Sequence, residues 1–234
     1  MLKTHNEANI QVWLKQRLSE LVPRTRILDA GAGELRNKIH CEHLDYVSQD
    51  FSDYTGIEQR FTGKGLQSDW DASGVDIVSD ILDIPEDDAS FDAILCSEVL
   101  EHIPEPSKAL TEFSRLLKPG GKLILTAPFC SLVHMAPYHF SSGFSRYWYE
   151  YHLPANDFVI NELKPNGDWF EYLKQELSRL GYMERRNGSW SWPFAYALGI
   201  MASIYFLFRK KVVDQNVACF GWFCVAIKKG DTDS

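Results

Sequence analysis

Two glycines and two acidic residues at the ends of predicted strands are the residues best placed to bind a ligand. Gly31 and Gly33 follow the apolar run 26–30. A loop without Cβ atoms lets the backbone approach a bound nucleotide and adopt positive φ angles. Asp29 can accept a hydrogen bond from an ammonium group or hold the glycine loop in shape. Asp50 ends the next predicted strand, where its two carboxylate oxygens can bind both hydroxyls of a ribose. The pattern predicts a site for an adenosine-containing cofactor.

The spacing of this loop disfavours a nicotinamide dinucleotide. The dinucleotide-binding fingerprint has a third glycine that lets the following helix pack against the strand. Arg36 occupies that position. A surface turn or a solvated aspartate would explain each feature alone, but not their order along the chain. A nicotinamide oxidoreductase is therefore a disfavoured interpretation.

The predicted elements that position these residues alternate along the first half of the chain. After a helix over 4–21, the apolar runs predict strands at 26–30, 44–49, 75–78, 91–96 and 122–127. A helix beginning at Pro106 and ending at Lys118-Pro119-Gly120-Gly121 precedes the last of these strands. This alternation predicts a parallel sheet with crossover connections, whose ligands bind at the carboxyl edge.

The second half of the chain is less regular. It predicts a helix over 143–153, a sixth strand over 158–163, an amphipathic helix over 168–180 that stops at Gly181, and a last strand over 219–227. We expect one domain over 1–234, made of an N-terminal helix (1–24), a cofactor-binding core (25–165), a helical insertion (166–216) and a last strand (217–228).

Five segments resemble, in order, successive motifs of the class I S-adenosylmethionine-dependent methyltransferases. They are ILDAGAGE (27–34), YVSQD (46–50), DIVSDILDIP (76–85), SFDAILCSEVLEHI (90–103) and EFSRLLKPGGKLILTAPF (112–129). The closest subset acts on small molecules, quinones, lipids or sugars. The resemblance covers roughly residues 25–165. It implies an α/β, Rossmann-like fold with a seven-stranded, mostly parallel sheet. The last strand is antiparallel, helices cover both faces, and a helical insertion separates strands six and seven.

The resemblance also implies roles in binding S-adenosylmethionine. Asp29, Gly31 and Gly33 match the positions that hold the methionine moiety, and Asp50 matches the ribose-binding acid.

Further along the chain, Asp80 and Ile81 match the pair beside the adenine. Ser97 and Glu98 match the loop after strand four, near the methionine end of the cofactor. His102 matches a histidine common in that stretch of the family, and we expect it to brace the loop.

The chain departs from the family pattern at two places. Leu35 stands where a third glycine is frequent, and Ser48-Gln49 replaces a Gly-Ile or Gly-Val pair. The first departure is expected to tighten or reshape the loop near the methionine carboxylate.

The acceptor of the methyl group is expected over the loops after strands four and five. The segment 128–152 is rich in aromatic and imidazole side chains, which suit a lid over an organic substrate. His139 and His134 are the candidate general bases for an oxygen or nitrogen acceptor, although a structural role for each is the alternative. We predict no metal, because these two histidines lack a credible third ligand.

The function predicted from these features is S-adenosylmethionine-dependent methyl transfer to an oxygen or nitrogen of a small-molecule or lipid- or sugar-linked acceptor. The alternative is a non-catalytic S-adenosylmethionine-binding protein that uses its helical insertion to contact a partner or a membrane. The net charge of −8, with scattered basic residues, argues against a nucleic-acid partner. Five cysteines without a CxxC pair argue against a disulfide framework and favour a cytoplasmic location.

The stretch 190–208 carries no charged residue and is followed by Arg209, Lys210 and Lys211. It is long enough to span a bilayer, but strands six and seven must meet in one sheet, so the chain has to return to the same side. We expect a helix that does not cross a membrane. It is buried against the domain, contacts a second subunit in a homodimer, or makes peripheral contact with a membrane.

Overall fold

The computed structural model of the protein describes residues 5–53, 74–208 and 217–230. The polar stretch 51–74, which predicts a loop or an irregular segment, lies mostly outside the described residues. So do Thr4, at the start of the first predicted helix, and the basic residues 209–211.

Five helices and seven strands make up the described chain. Their order is α1 (His5–Ser19), β1 (Arg26–Ala30), β2 (Asp45–Asp50), β3 (Ile77–Val78), β4 (Phe91–Ser97), α2 (Pro106–Leu116), β5 (Leu117–Pro128), α3 (Arg146–Ala155), β6 (Phe158–Asn166), α4 (Trp169–Arg186), α5 (Trp192–Phe208) and β7 (Gly221–Lys228). Short 3-10 turns cover Lys38–His40 and Leu100–His102.

The seven strands form one sheet in the order β3-β2-β1-β4-β5-β7-β6. β1 pairs in parallel with β2 and β4, and β4 pairs in parallel with β5. β7 is antiparallel to β5 over its whole length. Because β1 and β4 are neighbours whose connections leave to opposite sides, a crevice opens at their carboxyl ends, where ligands bind in sheets of this kind. The predicted fold is confirmed.

The core on one face of the sheet is built by α1. Its residues Trp13, Leu14 and Leu18 are buried against alternate side chains of the central strands. The Trp13 ring stacks on Phe223 of β7, with centroids 4.8 Å apart. Burying each such apolar side chain stabilises the folded state by roughly 1.5–3 kcal/mol. These residues therefore fix α1 to the sheet.

Two predicted boundaries were wrong. β5 does not begin after the glycine pair but runs from Leu117, which pairs with Phe91, so the Lys118–Gly121 segment is an irregularity within the strand pairing. Gly181 does not end α4, which continues to Arg186. In the sequence, a glycine inside a helix looks the same as a glycine that ends one. Only the residue that packs against the glycine distinguishes the two cases.

Residues 165–220 form a compact unit of their own, which contains α4 and α5. The Asp168 carboxylate caps α4 by accepting hydrogen bonds from the amides of Phe170 and Glu171. A Cβ atom on Gly181 would lie 2.7 Å from the Tyr196 ring, and one on Gly199 would lie 3.2 Å from the Leu177 carbonyl oxygen. The two glycines therefore allow the helices to pack closely.

The predicted helix over 190–208 is confirmed over Trp192–Phe208. Packing against α4 covers only part of it. Its large apolar side chains with more than half of their surface exposed are Phe194, Ile200, Met201, Ile204, Tyr205 and Phe208. Among the helices that the structure describes, none combines the length and apolar character needed to span a membrane.

Gly181→Ala tests the α4–α5 packing. Alanine normally stabilises a helix interior by about 1 kcal/mol relative to glycine. Here the added Cβ meets the Tyr196 ring, so we expect a net loss of about 1–3 kcal/mol, measured as faster hydrogen exchange of the α4 and α5 amides. In a Tyr196→Ala background the same change should slow exchange. Slower exchange with Tyr196 in place would contradict the packing argument.

Candidate functional site

The glycine loop after β1 is tied to the end of β2 by backbone and side-chain hydrogen bonds. The amides of Gly31 and Ala32 both donate to the Gln49 carbonyl at 2.9 Å. The Gly33 amide donates to the Asp50 carboxylate at 2.8 Å, and the other Asp50 oxygen accepts from the Ser52 amide at 3.0 Å. Each carboxylate oxygen has a second lone pair, so Asp50 can bind ribose hydroxyls while it holds the loop.

Positive φ angles explain why the loop needs its glycines. Gly31 has φ +76° and Gly33 has φ +52°. A Cβ on Gly31 would lie 2.5 Å from Cγ2 of Val99, which follows β4. Leu35, at the departure from the family pattern, also adopts a positive φ of +57°. The loop therefore keeps a left-handed conformation there and bears the strain that a glycine would avoid.

Ser48 and Gln49, the second departure, fasten β2 to both of its neighbours. The Gln49 amide nitrogen donates to the Ser79 carbonyl at 2.7 Å, and its amide oxygen accepts from Gly31 at 3.3 Å. The Ser48 hydroxyl and amide both donate to Asp76. A buried glutamine thus joins the glycine loop to the chain after β3, a role that no sequence pattern indicated.

Asp29 lies beneath the loop and not on a ligand-facing surface. It is 1% exposed, and one of its carboxylate oxygens accepts hydrogen bonds from the Tyr46 hydroxyl at 2.7 Å and from the Asn37 amide at 3.4 Å. Burial, only partly offset by these bonds, raises the pKa of Asp29 to about 6. Of its two predicted roles, holding the loop in shape is the one that these contacts favour.

A cavity of about 820 Å³ opens above the carboxyl ends of β1, β2 and β4. This size is within the range of small-molecule sites. Seven of the predicted cofactor residues line it: Gly31, Gly33, Asp50, Asp80, Ile81, Ser97 and Glu98. Asp29, His134 and His139 are not among its lining residues.

One part of the cavity wall was not assigned from the sequence. The first turns of α1 contribute Asn6, Glu7, Ile10 and Gln11, although the apolar spacing indicated only that the helix packs on the sheet. This contribution has no local signal, because it depends on where the fold carries the helix. The segment after β5 contributes Met135, Tyr138 and Phe140, which places three side chains of the predicted lid on the wall.

Buried acidic groups follow β4. Glu98 has a positive φ of +56°, and its amide donates to the Thr126 carbonyl at 2.9 Å. Burial raises the pKa of Glu98, and burial together with the nearby Glu98 charge raises the pKa of Glu101. The two carboxyl groups in the loop after β4 therefore favour binding of a cation or a proton beside the cavity.

Three histidines lie together at this end of the sheet. His102 lines the cavity, and its Nδ1 contacts the Tyr138 carbonyl at 2.5 Å, so it links the loop after β4, which it was predicted to brace, to the segment after β5. Burial lowers the pKa of His102 to about 4, which keeps the ring neutral. Its ring centroid is 4.7 Å from that of His134 and 6.2 Å from that of His139. The argument that His134 and His139 have no third candidate ligand was therefore wrong, because the fold brings His102 to them.

A family model described as a methyltransferase domain matches residues 28–125, which contain β2, β3, β4, α2 and most of β1 and β5. The matched span includes the glycine loop, Asp50 and the loop after β4.

Over residues 28–125 the chain matches a methyltransferase domain, which supports the predicted family, the class I S-adenosylmethionine-dependent methyltransferases. The predicted family and its cofactor, S-adenosylmethionine, are confirmed. The roles of individual cofactor residues stay predictions.

Curated relatives of this chain are named as methyltransferases. A demethylmenaquinone methyltransferase of Renibacterium salmoninarum is 33% identical over 159 residues, which cover 67% of this chain and 60% of the relative. A ubiquinone biosynthesis O-methyltransferase of Xylella fastidiosa is 33% identical over 110 residues, covering 43% of this chain and 41% of the relative. The chain thus spans less than two thirds of these relatives.

Among solved structures, a Haemonchus contortus phosphoethanolamine N-methyltransferase 2 in complex with S-adenosyl-L-methionine shares the fold. Its TM-score is 0.55 at 15% identity, with 95% of this chain and 53% of that chain covered. The likeness covers more of the chain than the matched domain does, so it supports the fold assignment beyond residue 125.

Gly31→Ala and Gly120→Ala form a matched pair that separates steric contact from backbone strain. The two glycines have φ +76° and +77°, but a Cβ on Gly120 would meet nothing within 4 Å. We expect each change to cost about 1–2 kcal/mol in backbone strain. Only Gly31→Ala should weaken S-adenosylmethionine binding, by at least about tenfold, in isothermal titration calorimetry. Equal affinities in the two variants would show that the Val99 contact does not shape the loop.

Asp29→Asn tests the buried carboxyl. Because the pKa of Asp29 is raised to about 6 in the folded protein, the folded state binds the proton more tightly than the unfolded state. Its contribution to stability is therefore greatest near pH 4 and is lost as the pH rises through about 6. At about 1.4 kcal/mol per pKa unit, the free energy of unfolding should fall by roughly 3 kcal/mol from this group.

The measurement is urea unfolding of the wild type and of Asp29→Asn at pH 4.5 and 7. The difference between the two proteins should shift in favour of the variant at the higher pH. Asp87→Asn, a change at an exposed carboxylate, is the control and should run parallel to the wild type. Parallel curves for Asp29→Asn would contradict the raised pKa.

Proposed function

We propose that the protein transfers the methyl group of S-adenosylmethionine to an oxygen or nitrogen atom of a small, hydroxylated aromatic acceptor. The observation that carries the proposal is the composition of one cavity wall. Residues matching four cofactor motifs and three side chains of the predicted lid line the same space.

The cofactor side of the cavity is polar and rests on strand ends. Asp50 accepts ribose hydroxyls, Asp80 faces the adenine amine, and the bare backbone of Gly31 and Gly33 admits the methionine end beside Ser97. Gly31 is held in place by Gln49, and Gly33 is held by the Asp50 carboxylate. Such support from buried groups fixes the geometry that an in-line displacement requires.

The acceptor side is formed by Met135, Tyr138 and Phe140. The Phe51 and Tyr138 rings lie edge to face, with centroids 5.3 Å apart. An apolar, aromatic wall favours a flat organic acceptor and excludes water from the reacting sulfonium. The names of the relatives, which refer to ubiquinone and demethylmenaquinone, support an aromatic acceptor of the quinol class.

His139 and His134 stay predicted bases, but their position restricts how they act. Neither lines the cavity, and His102 stands on the wall beside them. A proton taken from the acceptor would therefore reach either ring only through His102.

No comparison favours the non-catalytic alternative. The predicted absence of a nucleic-acid partner stays a prediction, as does contact of 190–208 with a second subunit or a membrane. The exposed apolar side chains of α5 support such a contact.

The test combines cofactor binding with turnover. Asp50→Asn should weaken S-adenosylmethionine binding by at least about tenfold, since hydrogen bonds to a charged group contribute about 1.5–3 kcal/mol. Asp87→Asn is the control of equal charge change outside the cavity and should bind as the wild type does. Titration with NADH should give no heat of binding.

Turnover is measured as transfer of labelled methyl from S-adenosylmethionine to catechol and hydroquinone acceptors that carry a short prenyl tail. Transfer that Asp50→Asn reduces, and Asp87→Asn does not, would support the proposal. A wild-type protein that binds the cofactor but methylates none of these acceptors would contradict the proposed acceptor class.

A further inference from the structure

Three histidines from two separate segments converge beside the cavity. His102 ends the 3-10 turn after β4, and His134 and His139 lie between β5 and α3. One ring nitrogen from each lies within 4.8 Å of the others. No other group of three or more possible ligands of this kind occurs in the described residues.

Backbone carbonyls determine which nitrogen of two of these rings carries the proton. Nδ1 of His102 contacts the Tyr138 carbonyl at 2.5 Å, and Nδ1 of His134 contacts the Leu132 carbonyl at 2.9 Å. A carbonyl only accepts, so each neutral ring is protonated at Nδ1 and has a lone pair at Nε2. Metal-binding histidines are held in this way, with the second ring nitrogen donating to a carbonyl or carboxylate.

The two Nε2 atoms face a buried carboxylate. Oε1 of Glu101 lies 3.7 Å from Nε2 of His102 and 3.9 Å from Nε2 of His134. Glu101 is 1% exposed, and its Oε2 has no hydrogen-bond partner among the described residues. Lone pairs and an ionised carboxylate cannot donate to one another, so a cation between them, either a metal ion or a proton, would satisfy all three.

The third ring has both nitrogens available. Neither Nδ1 nor Nε2 of His139 has a hydrogen-bond partner within the described part of the chain, although both are shielded from solvent. The ring centroid of His139 is 5.0 Å from that of His134. An unpaired buried imidazole is costly, and coordination would remove that cost.

We propose that His102, His134 and His139 bind a divalent transition-metal ion, with the Glu101 carboxylate beside it. The site goes beyond the proposed methyl transfer and does not depend on it. Zn²⁺ suits three imidazoles, whereas Mg²⁺ and Ca²⁺ prefer oxygen ligands.

Binding a metal ion requires the three ring nitrogens to move closer together by only a small distance. Three nitrogens bound tetrahedrally at 2.0–2.1 Å from zinc are about 3.4 Å apart, compared with the present separation of up to 4.8 Å. Residues 129–145 contain no helix or strand, so His134 and His139 can move inward. The amides of Phe140 and Ser141 donate to the Glu101 carbonyl at 2.9 and 3.2 Å, which holds the two segments together.

A site with three protein ligands leaves a coordination position for an exogenous group. His102 is on the cavity wall, so an acceptor oxygen in the cavity is the group placed to occupy it. A general base would have to reach the acceptor from the cavity wall, where neither His134 nor His139 lies. A metal ligand needs no such position, so a ligand role explains where these two residues lie.

The test is calorimetric titration of the full chain with ZnCl₂ after dialysis against a chelator. We expect one equivalent of Zn²⁺ to bind, and His134→Gln and His139→Gln each to weaken binding by at least about tenfold. His40→Gln, at a histidine outside the cluster, should leave the affinity unchanged. Circular dichroism confirms that each variant is folded, and no step of the test requires turnover.

Co²⁺ provides a second measurement that identifies the ligands. Binding at the histidines should give visible bands of a four-coordinate ion without a sulfur-to-cobalt charge-transfer band, and His139→Gln should abolish them. Binding that survives both glutamine variants, or that shows sulfur ligation by the cysteines, would identify an adventitious ion only and overturn the proposal. A wild-type protein that binds neither ion would overturn it as well.

Discussion

The hydrogen bond from the Gly33 amide to the Asp50 carboxylate joins the loop after β1 to the end of β2. A loop with three residues at positive φ has no strand or helix of its own to hold it. Its conformation therefore depends on this bond and on the two amides that donate to the Gln49 carbonyl. Since the same carboxylate is the candidate ribose ligand, one buried acid both forms the loop and presents a polar edge to the cofactor.

The floor of the cavity is equally dependent on buried polar groups. Asp29, Gln49 and Ser48 are each at most 1% exposed, yet every one has hydrogen-bond partners from a neighbouring element. Satisfied polar networks of this kind fix one arrangement, because breaking any bond leaves a buried group unpaired. The site is thus preorganised by the same residues that join β1, β2 and β3.

The sequence allowed the prediction that the candidate cofactor residues lie together, because they follow strand ends. Gly31, Asp50 and Asp80 each lie one or two residues beyond an apolar run, and parallel strands bring their ends to one edge. Asp29 shows the limit of such reasoning. The pattern placed it at the strand end, but only the Tyr46 contact shows that its carboxylate points beneath the loop.

The boundaries that were wrong share a physical cause. Gly181 and the glycine pair after Lys118 carry the local signal of a helix end or turn, but tertiary contacts determine their roles. Gly181 admits the Tyr196 ring, and Gly121 lies where a Cβ would be 2.8 Å from the Lys118 carbonyl oxygen. In both cases the missing side chain makes room for a neighbour, which a single sequence cannot show.

The segment proposed to contact the acceptor is held differently from the loops that carry the candidate cofactor residues. Residues 129–145 have no regular secondary structure, and their anchors are the hydrogen bonds to the Glu101 carbonyl and the contact between His102 and the Tyr138 carbonyl. Both anchors are on the turn that follows β4, directly after Glu98 and Val99 of the cofactor side. A shift of that turn would therefore move Tyr138 and the glycine loop together. The turn at 100–102 is thus linked both to the segment after β5 and, through the neighbouring Val99, to the glycine loop.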